Sequence, residues 1–396
     1  MDKIRIHGGH ALSGSIKISG SKNSALPILA ATLLTREPCI LHRVPDLSDT
    51  NYMLQILTHL GAQVERASGN VSVTAENATS VAPYDVVRKM RASVCVLGPL
   101  LGRCKEATVS MPGGCVIGDR PIDLHLKGFE ALGAAVRVEA GNIKVFAPKL
   151  AGAVINLRGK FGPTVLGTDN VMMAAVLAEG TTVIEGAGTR RIIIEGVKEV
   201  HGAEHDIIPD RIEAGTFLVA GAICGNGITI KRVEPQHVQA VTKALSSCGF
   251  KIESSANSIT VSPNGVAAPL ELATEPYPGF PTDMQAQMCA LLSTTGGISV
   301  ITENIFPQRY MHVAELKRMG AHVDLEGPTA VIQGVDRLFG APVMASDLRA
   351  SAALVLAGLK AEGVTEVGRV YHIDRGYEHL DEKLSELGAQ IERVKG

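Results

Sequence analysis

Two side chains in this sequence sit where they could move protons. Cys115 lies in MPGGCVIGDRP, flanked by Gly113, Gly114 and Gly118, and this glycine density predicts an exposed, mobile loop. A thiol near its free pKa of about 8.5 stays protonated at neutral pH, so beside arginines it could donate a proton or attack as a nucleophile. The local sequence leaves both roles open. Cys95, Cys224 and Cys289 fall inside apolar stretches and read instead as small buried hydrophobes. Asp283, in EPYPGFPTDMQAQ, stands at a proline-rich approach to an apolar helix. There it can cap the helix together with Thr282, or present a carboxylate able to accept a hydroxyl proton.

A second set of residues could hold an anion. Lys22 and Asn23 occur in SGSKNSALP, where a Gly-Ser loop opens onto an apolar helix. A lysine there can set an ammonium beside a phosphate, although the segment is not a Walker loop. Arg91 in MRASVCVLG and Arg349 in DLRASAALVLAG share an Arg-Ala-Ser triplet at the start of two apolar helices. Arg120 precedes Pro121, which suits the first turn of the helix PIDLHLKGFEALGA, and Arg375 lies in YHIDRGYEHLDEK before the last helix. Any one of these arginines would more often be a surface ion pair than a ligand. The repeated triplet favours a shared role, and a planar bidentate donor suits phosphate or carboxylate.

The elements that must carry these residues form an internal repeat. One signature is an apolar helix rich in small residues, followed by Gly and a β-branched strand, and it occurs six times, from ALPILAATLLTREPCILHRV to ASAALVLAGLKAEGVTEVGRV. The other is an amphipathic helix ending in Leu-Gly-Ala or a close variant, then two short strands about a turn, as in LGAAVRVEAGNIKVFAP, and it occurs five times. The last copy stops at the chain end, and the strand-like pair KIRIHGG and GSIKISG at the start would complete it. The expected architecture is therefore α/β, with six βαβ-like repeats in two groups of three. One domain spans 22–208 and carries the Cys115 loop, and the other joins 1–21 to 209–396. Helices apolar on every side require burial on every side, which places helices inside and strands outside. Each buried helix starts in a polar segment, so two sets of three N-termini facing across a cleft would suit phosphates and carboxylates.

Composition excludes several alternatives. With 396 residues, 45% apolar and 20% charged, the chain can build large cores and is not disordered. A formal charge of −2 without like-charge runs argues against nucleic-acid or membrane-surface binding. The start MDKIRIHGG lacks a signal-peptide core, and runs such as ALPILAATLL are too short to span a bilayer, so a cytoplasmic location is expected. Seven cysteines without a C-x-x-C pair fit neither a disulfide framework nor a zinc site.

The segments SGSKNSALPILAATLL, MRASVCVLGPLLGR, PGGCVIGDRPIDLHLKGFEALGA, YPGFPTDMQAQ, DLRASAALVLAG and YHIDRGYEHLDEKL together resemble the UDP-N-acetylglucosamine 1-carboxyvinyltransferase family. The likeness spans nearly the whole chain, and its Gly-Gly-Cys loop and Phe-Pro-Thr-Asp motif are highly specific. It implies a two-domain inside-out α/β barrel that moves the enolpyruvyl group of phosphoenolpyruvate onto the 3'-hydroxyl of UDP-N-acetylglucosamine, the first committed step of peptidoglycan synthesis, with no metal and no cofactor. It also implies that Lys22, Asn23, Arg120 and Arg375 hold phosphoenolpyruvate with help from Arg91, that Cys115 protonates its methylene carbon, and that Asp283 takes the sugar hydroxyl proton. Arg349 joins the same substrate set. The sugar nucleotide would lie against Arg120, Pro121, Ile122, Asp123 and Leu124, the loop with Lys160, Val165 and Gly167, and Asp283 and Ile305. The rivals are the related transfer to shikimate 3-phosphate, whose enzymes lack the Gly-Gly-Cys loop, and an inactive protein that only binds UDP-sugar.

One segment departs from the family. Between TTVIEG and TRRIIIEGV only Ala187 and Gly188 remain, so the second-type helix and its strand are absent after Glu185. The family's Glu-Pro-Glu-bearing segment at that place has no counterpart here. Losing a helix from a packed repeat bares apolar surface, so either neighbouring strands cover the gap or the first domain is weakened.

Overall fold

The computed structural model describes residues 2–111, 122–159, 162–187 and 191–396. By Cα proximity the chain divides into two compact units, one of residues 20–208 and one joining the N-terminal 19 residues to Pro209–Gly396. Each unit has its own apolar core.

Both units repeat one plan. A helix apolar on all sides runs through the middle, and the strand that follows it pairs in parallel with a short strand on one side. On its other side an antiparallel return strand follows, and beyond that an antiparallel outer strand. The helix Arg211–Cys224 shows why the central position is obligatory: residues 212–221 are all buried, so no face can meet water. Its first turn is closed by Asp210, whose side chain accepts from the N–H groups of Ile212 and Glu213 at 2.7 and 3.1 Å. Leu348–Lys360 is built alike, with Asp347 accepting from Arg349 and Ala350 at 2.6 and 2.9 Å. The helices lie inside and the sheets outside, as the all-round apolar pattern requires.

The N-terminal strands divide their work differently from the sequence reading. Lys3–His7 does complete the last copy, lying antiparallel between Val364–Gly368 and Gln390–Val394. Leu12–Lys17 does not. It pairs in parallel with Gly225–Lys231 and so serves another sheet. The strand that precedes the helix Arg211–Cys224 in the chain, Glu204–Asp206, pairs in parallel with Cys39–His42 instead, so the parallel place beside Gly225–Lys231 is taken by Leu12–Lys17.

The third copy is incomplete. Of the seven sheets among the described residues, five have four strands and one is the two-stranded ribbon of Arg158–Gly159 and Gly162–Pro163, whereas Val154–Asn156, Thr181–Glu185 and Ile192–Glu195 make a sheet of three. Among the described residues nothing pairs with the far edge of Ile192–Glu195. The inward side chains of complete return strands are buried, as with Val71 and Val73 or Ile143 and Val145. Ile192 and Ile194 are only half-buried, because the amphipathic helix that covers such strands elsewhere is missing. We expect the amides of Thr181–Glu185 and Ile192–Glu195 to exchange with deuterium faster than those of Glu106–Ser110 and Asn142–Phe146. Equal protection in a hydrogen-exchange map would mean that the gap is covered.

Candidate active site

In the unit of residues 20–208, the predicted anion-binding residues collect at helix starts. Lys22 is the first residue of the helix Lys22–Ala31, whose N-cap Ser21 accepts from the Ser24 N–H. Its ammonium is buried and lies 3.1 Å from the equally buried Asp49. The pair fixes an otherwise flexible side chain at the helix mouth, which a solvated lysine would not achieve. Asn23, next to it, is exposed. Arg91 opens the short helical turn Arg91–Val96 before Leu97–Cys104 and is close enough to His125 to lower its pKa. Burial, reinforced by Arg91, pushes the imidazole down to about 4, so His125 is neutral. Its Nδ1 can then accept from Asn170, 3.0 Å away, while the same amide donates to the Val94 carbonyl at 2.8 Å and accepts from the Gly98 N–H at 2.6 Å. One buried asparagine thus ties three helix starts together.

Of the residues assigned to the sugar nucleotide, Ile122, Asp123, Leu124, Val165 and Gly167 lie at neighbouring helix starts within this unit, whereas Asp283 and Ile305 belong to the other. Ile122, Asp123 and Leu124 form the start of the helix Asp123–Ala131. The ribbon of Arg158–Gly159 and Gly162–Pro163 lies against it, so closely that a Cβ on Gly159 would sit 3.0 Å from Leu124 Cδ1. The helix Val165–Ala175 follows directly, with Thr164 accepting from the Gly167 N–H at 3.1 Å and Val165 left 74% exposed at its mouth. Cys115, Arg120, Pro121 and Lys160 lie outside the described residues.

Asp169, on the same helix, was not singled out by the sequence. Burial pushes its carboxyl up to about 6. A carboxyl whose pKa rises on folding supports the folded state at low pH and loses that contribution as pH climbs through about 6. Asp169→Asn should therefore be more stable than the parent by about 2 kcal/mol at pH 8, with the gap closing towards pH 4. Urea unfolding at the two pH values measures this, and a pH-independent difference would contradict it.

In the second unit the predicted base is held by arginines. Asp283 sits in the turn Thr282–Met284 that leads into the helix Gln285–Leu292, and it does not cap that helix. Its carboxylate accepts from Arg309 Nη1 at 2.7 Å and from Arg349 Nη2 at 3.4 Å. Both guanidinium groups are buried, whereas Asp283 keeps 26% of its side chain exposed. Burial alone would discharge such cations. For Arg349 the penalty is outweighed by Tyr377, Asp283 and Asp210, and for Arg309 by Asp283 and Asp347, so both stay charged. Arg349 also lies over the Tyr377 ring, 5.1 Å from its centroid.

Arg309 and Glu303 are functional-site neighbours that the sequence reading missed. Glu303 is fully buried and accepts from Thr282 at 2.9 Å, from Thr274 at 2.8 Å, and from the backbone N–H groups of Ile305 and Phe306, each at 2.9 Å. It therefore locks the predicted contact Ile305 to the residue beside Asp283. Arg375 ends the short turn Val370–Arg375 and is half-buried, close enough to contribute to lowering the His372 pKa. The six described cysteines are all unpaired, and burial raises each thiol, Cys224 and Cys289 to about 12. Such thiols are poor proton donors at neutral pH. Among the described residues, no cluster of three His, Cys, Asp or Glu side chains could hold a metal ion.

Comparison with known proteins identifies the family. The family model for EPSP synthase (3-phosphoshikimate 1-carboxyvinyltransferase) matches residues 6–191 and 183–384. The UDP-N-acetylglucosamine 1-carboxyvinyltransferases of Akkermansia muciniphila and Methylacidiphilum infernorum are each 57% identical to this chain, covering 100% of it and 99% of their own length. The first alignment runs over 420 positions against 396 residues here, so 24 positions have no residue in this chain. Among solved structures, the enolpyruvyl transferase NikO from Streptomyces tendae superposes with a TM-score of 0.87 at 23% identity, covering 100% of this chain and 99% of its own. EPSP synthase from Acinetobacter baumannii follows at 0.77 and 15%, with full coverage of both chains. At those identities the two structures speak for the inside-out α/β fold alone. Full-length identity at 57% speaks for more: this chain belongs to the UDP-N-acetylglucosamine 1-carboxyvinyltransferases, a branch of the EPSP synthase family of enolpyruvyl transferases.

Proposed function

We propose that this protein transfers the enolpyruvyl group of phosphoenolpyruvate to the 3'-hydroxyl of UDP-N-acetylglucosamine, releasing phosphate and opening peptidoglycan synthesis. The observation that carries the reading is a part-exposed carboxylate, Asp283, aimed by two buried arginines. A carboxylate so held has little freedom except to receive a proton from a hydroxyl placed against it. Asp283 takes that proton as the sugar oxygen bonds to the central carbon of phosphoenolpyruvate. The electron pair of the double bond collects the Cys115 proton at the methylene carbon, which becomes a methyl group. The resulting ketal then expels phosphate, and loss of one methyl proton restores the double bond. Lys22, Asn23, Arg91, Arg120, Arg349 and Arg375 hold the phosphate and carboxylate through these steps. Residues 121–124, Lys160, Val165, Gly167 and Ile305 hold the sugar nucleotide.

Cys115 takes the acid role from the family resemblance of its Gly-Gly-Cys loop, and burial raises the thiols of the six described cysteines, which leaves them poor proton donors. We further assign the protein to the cytoplasm, where both substrates would meet it. No helix among the described residues is long and apolar enough to cross a membrane. Because the matching family model carries the name of the shikimate enzyme, substrate choice is the point to test. Phosphate release from phosphoenolpyruvate should depend on UDP-N-acetylglucosamine. Release with shikimate 3-phosphate instead would transfer the protein to the sister activity, and release with neither would mark an inactive sugar-nucleotide binder.

A further inference from the structure

The incomplete third sheet carries chemistry that the transferase reaction does not use. Its last strand, Ile192–Glu195, has no partner on its far edge among the described residues, and an open edge is a template for another strand. Its counterparts in the five four-stranded sheets are protected by the outer strand that this copy lacks.

Two features of this edge are unlike the others. The first is its solvent face. In four of the complete sheets the central outward residue of the return strand is Arg5, Ser72, Lys144 or Thr260, and in the fifth it is Val331. Here it is Ile193, 58% exposed. The register sets it beside the buried Val183, which in turn lies beside Val154, itself 72% exposed, so a row of three apolar side chains, exposed at both ends and covered in the middle, runs across the sheet to the open edge. The second feature is charge. The exposed residues flanking Ile193 on the same face are Arg191 and Glu195, one of each sign and equally spaced from it.

A segment with that symmetry is complementary to itself. We propose that this edge pairs antiparallel with the same edge of a second copy of the chain, about a twofold axis through Ile193. In that register Arg191 of each copy stands opposite Glu195 of the other, and Ile193 stands opposite its own counterpart. On the inner face Ile192 meets Ile194, which extends the half-buried apolar pair across the junction. The two three-stranded sheets become one of six strands, with the row Val154, Val183 and Ile193 continued through its mirror-ordered equivalents. Opposite charges directly across an antiparallel pair attract and like charges repel, so the pairing selects this register. An isologous contact of this kind closes on itself and produces a dimer, not a filament. The contact is short, below the ~1,000 Å² typical of stable complexes, so the association is expected to be weak and to show only as the concentration is raised.

Sedimentation equilibrium on the full chain tests this. The parent protein should show a monomer–dimer equilibrium. Arg191→Glu and Glu195→Arg singly should each weaken it about tenfold or more, because symmetry places two like-charge pairs in the contact. The double variant Arg191→Glu/Glu195→Arg should recover parent-like association, because it restores both pairs with exchanged signs. Both sites of change are exposed, and unchanged circular dichroism and turnover would show that the variants fold. A chain that stays monomeric at all concentrations overturns the proposal. So does a dimer indifferent to the single changes, or one that the double change fails to rescue.

Discussion

Asp283→Asn should lower kcat with UDP-N-acetylglucosamine by about 10²–10⁴-fold and leave the fold intact, as expected for loss of a general base. Asparagine keeps the size of the side chain and one oxygen to accept from Arg309, which lies 2.7 Å from the native carboxylate. What it loses is the negative charge: it can no longer take a proton, and Arg309 and Arg349 keep a hydrogen-bond acceptor but not their common anion, so a smaller loss of stability than in the alanine variant accompanies the loss of turnover. Asp283→Ala is a different experiment. It leaves the Arg309 and Arg349 guanidinium groups buried without their common anion, which costs stability on the order of 3–5 kcal/mol as well as activity. Comparing the two by phosphate release and by thermal unfolding separates the chemical role from the structural one. If Asp283→Asn retained near-normal kcat, another group would have to be the base. If it unfolded as readily as the alanine variant, the carboxylate would matter chiefly as a counter-ion.

Cys115→Ala should lower turnover by a comparable factor and, in addition, abolish covalent labelling by the epoxide fosfomycin. Carbon protonation needs an acid that is still loaded at neutral pH and can surrender its proton to a poor base, and a thiol near its free pKa of about 8.5 satisfies both. The other thiols are disqualified by burial, Cys95 and Cys289 being fully enclosed in helices. Intact-mass measurement after fosfomycin treatment in the presence of sugar nucleotide should show one adduct on the parent and none on the variant. An adduct persisting on Cys115→Ala would place the reactive thiol elsewhere.

Much of this was legible in the sequence, and what was not has physical causes. Helices apolar on all sides, such as Arg211–Cys224, admit only a central position, so the inside-out arrangement follows from the residues. The missing strand was readable because a repeat makes an absence visible, and 24 unmatched alignment positions accord with it. The fate of Leu12–Lys17 was not readable, since strand pairing is decided by which edge stands open in space. Asp283 was found by its motif, but its geometry was not. Arg309 lies 26 residues downstream in IFPQRYMHV, where nothing local distinguishes it from a surface arginine, and only the fold brings it to the carboxylate. Asp49 escaped notice for the same reason: it reads as an ordinary first-turn acid of Ser48–His59, and its pairing with Lys22 is tertiary. Glu303 left one faint signal, a lone acid at the end of an apolar strand where the chain turns.

The account rests on addition followed by elimination at an enolpyruvyl carbon, and one measurement reaches it directly. The protein is incubated with phosphoenolpyruvate and UDP-N-acetylglucosamine in deuterium oxide, and the sugar nucleotide is recovered and its mass determined. Protonation makes a methyl group, and elimination then removes one of its three hydrogens, so part of the enolpyruvyl product must carry deuterium in its methylene group. A recovered sugar nucleotide with no enolpyruvyl group, or one whose enolpyruvyl methylene holds no deuterium at all, would contradict the mechanism assigned to Cys115 and Asp283.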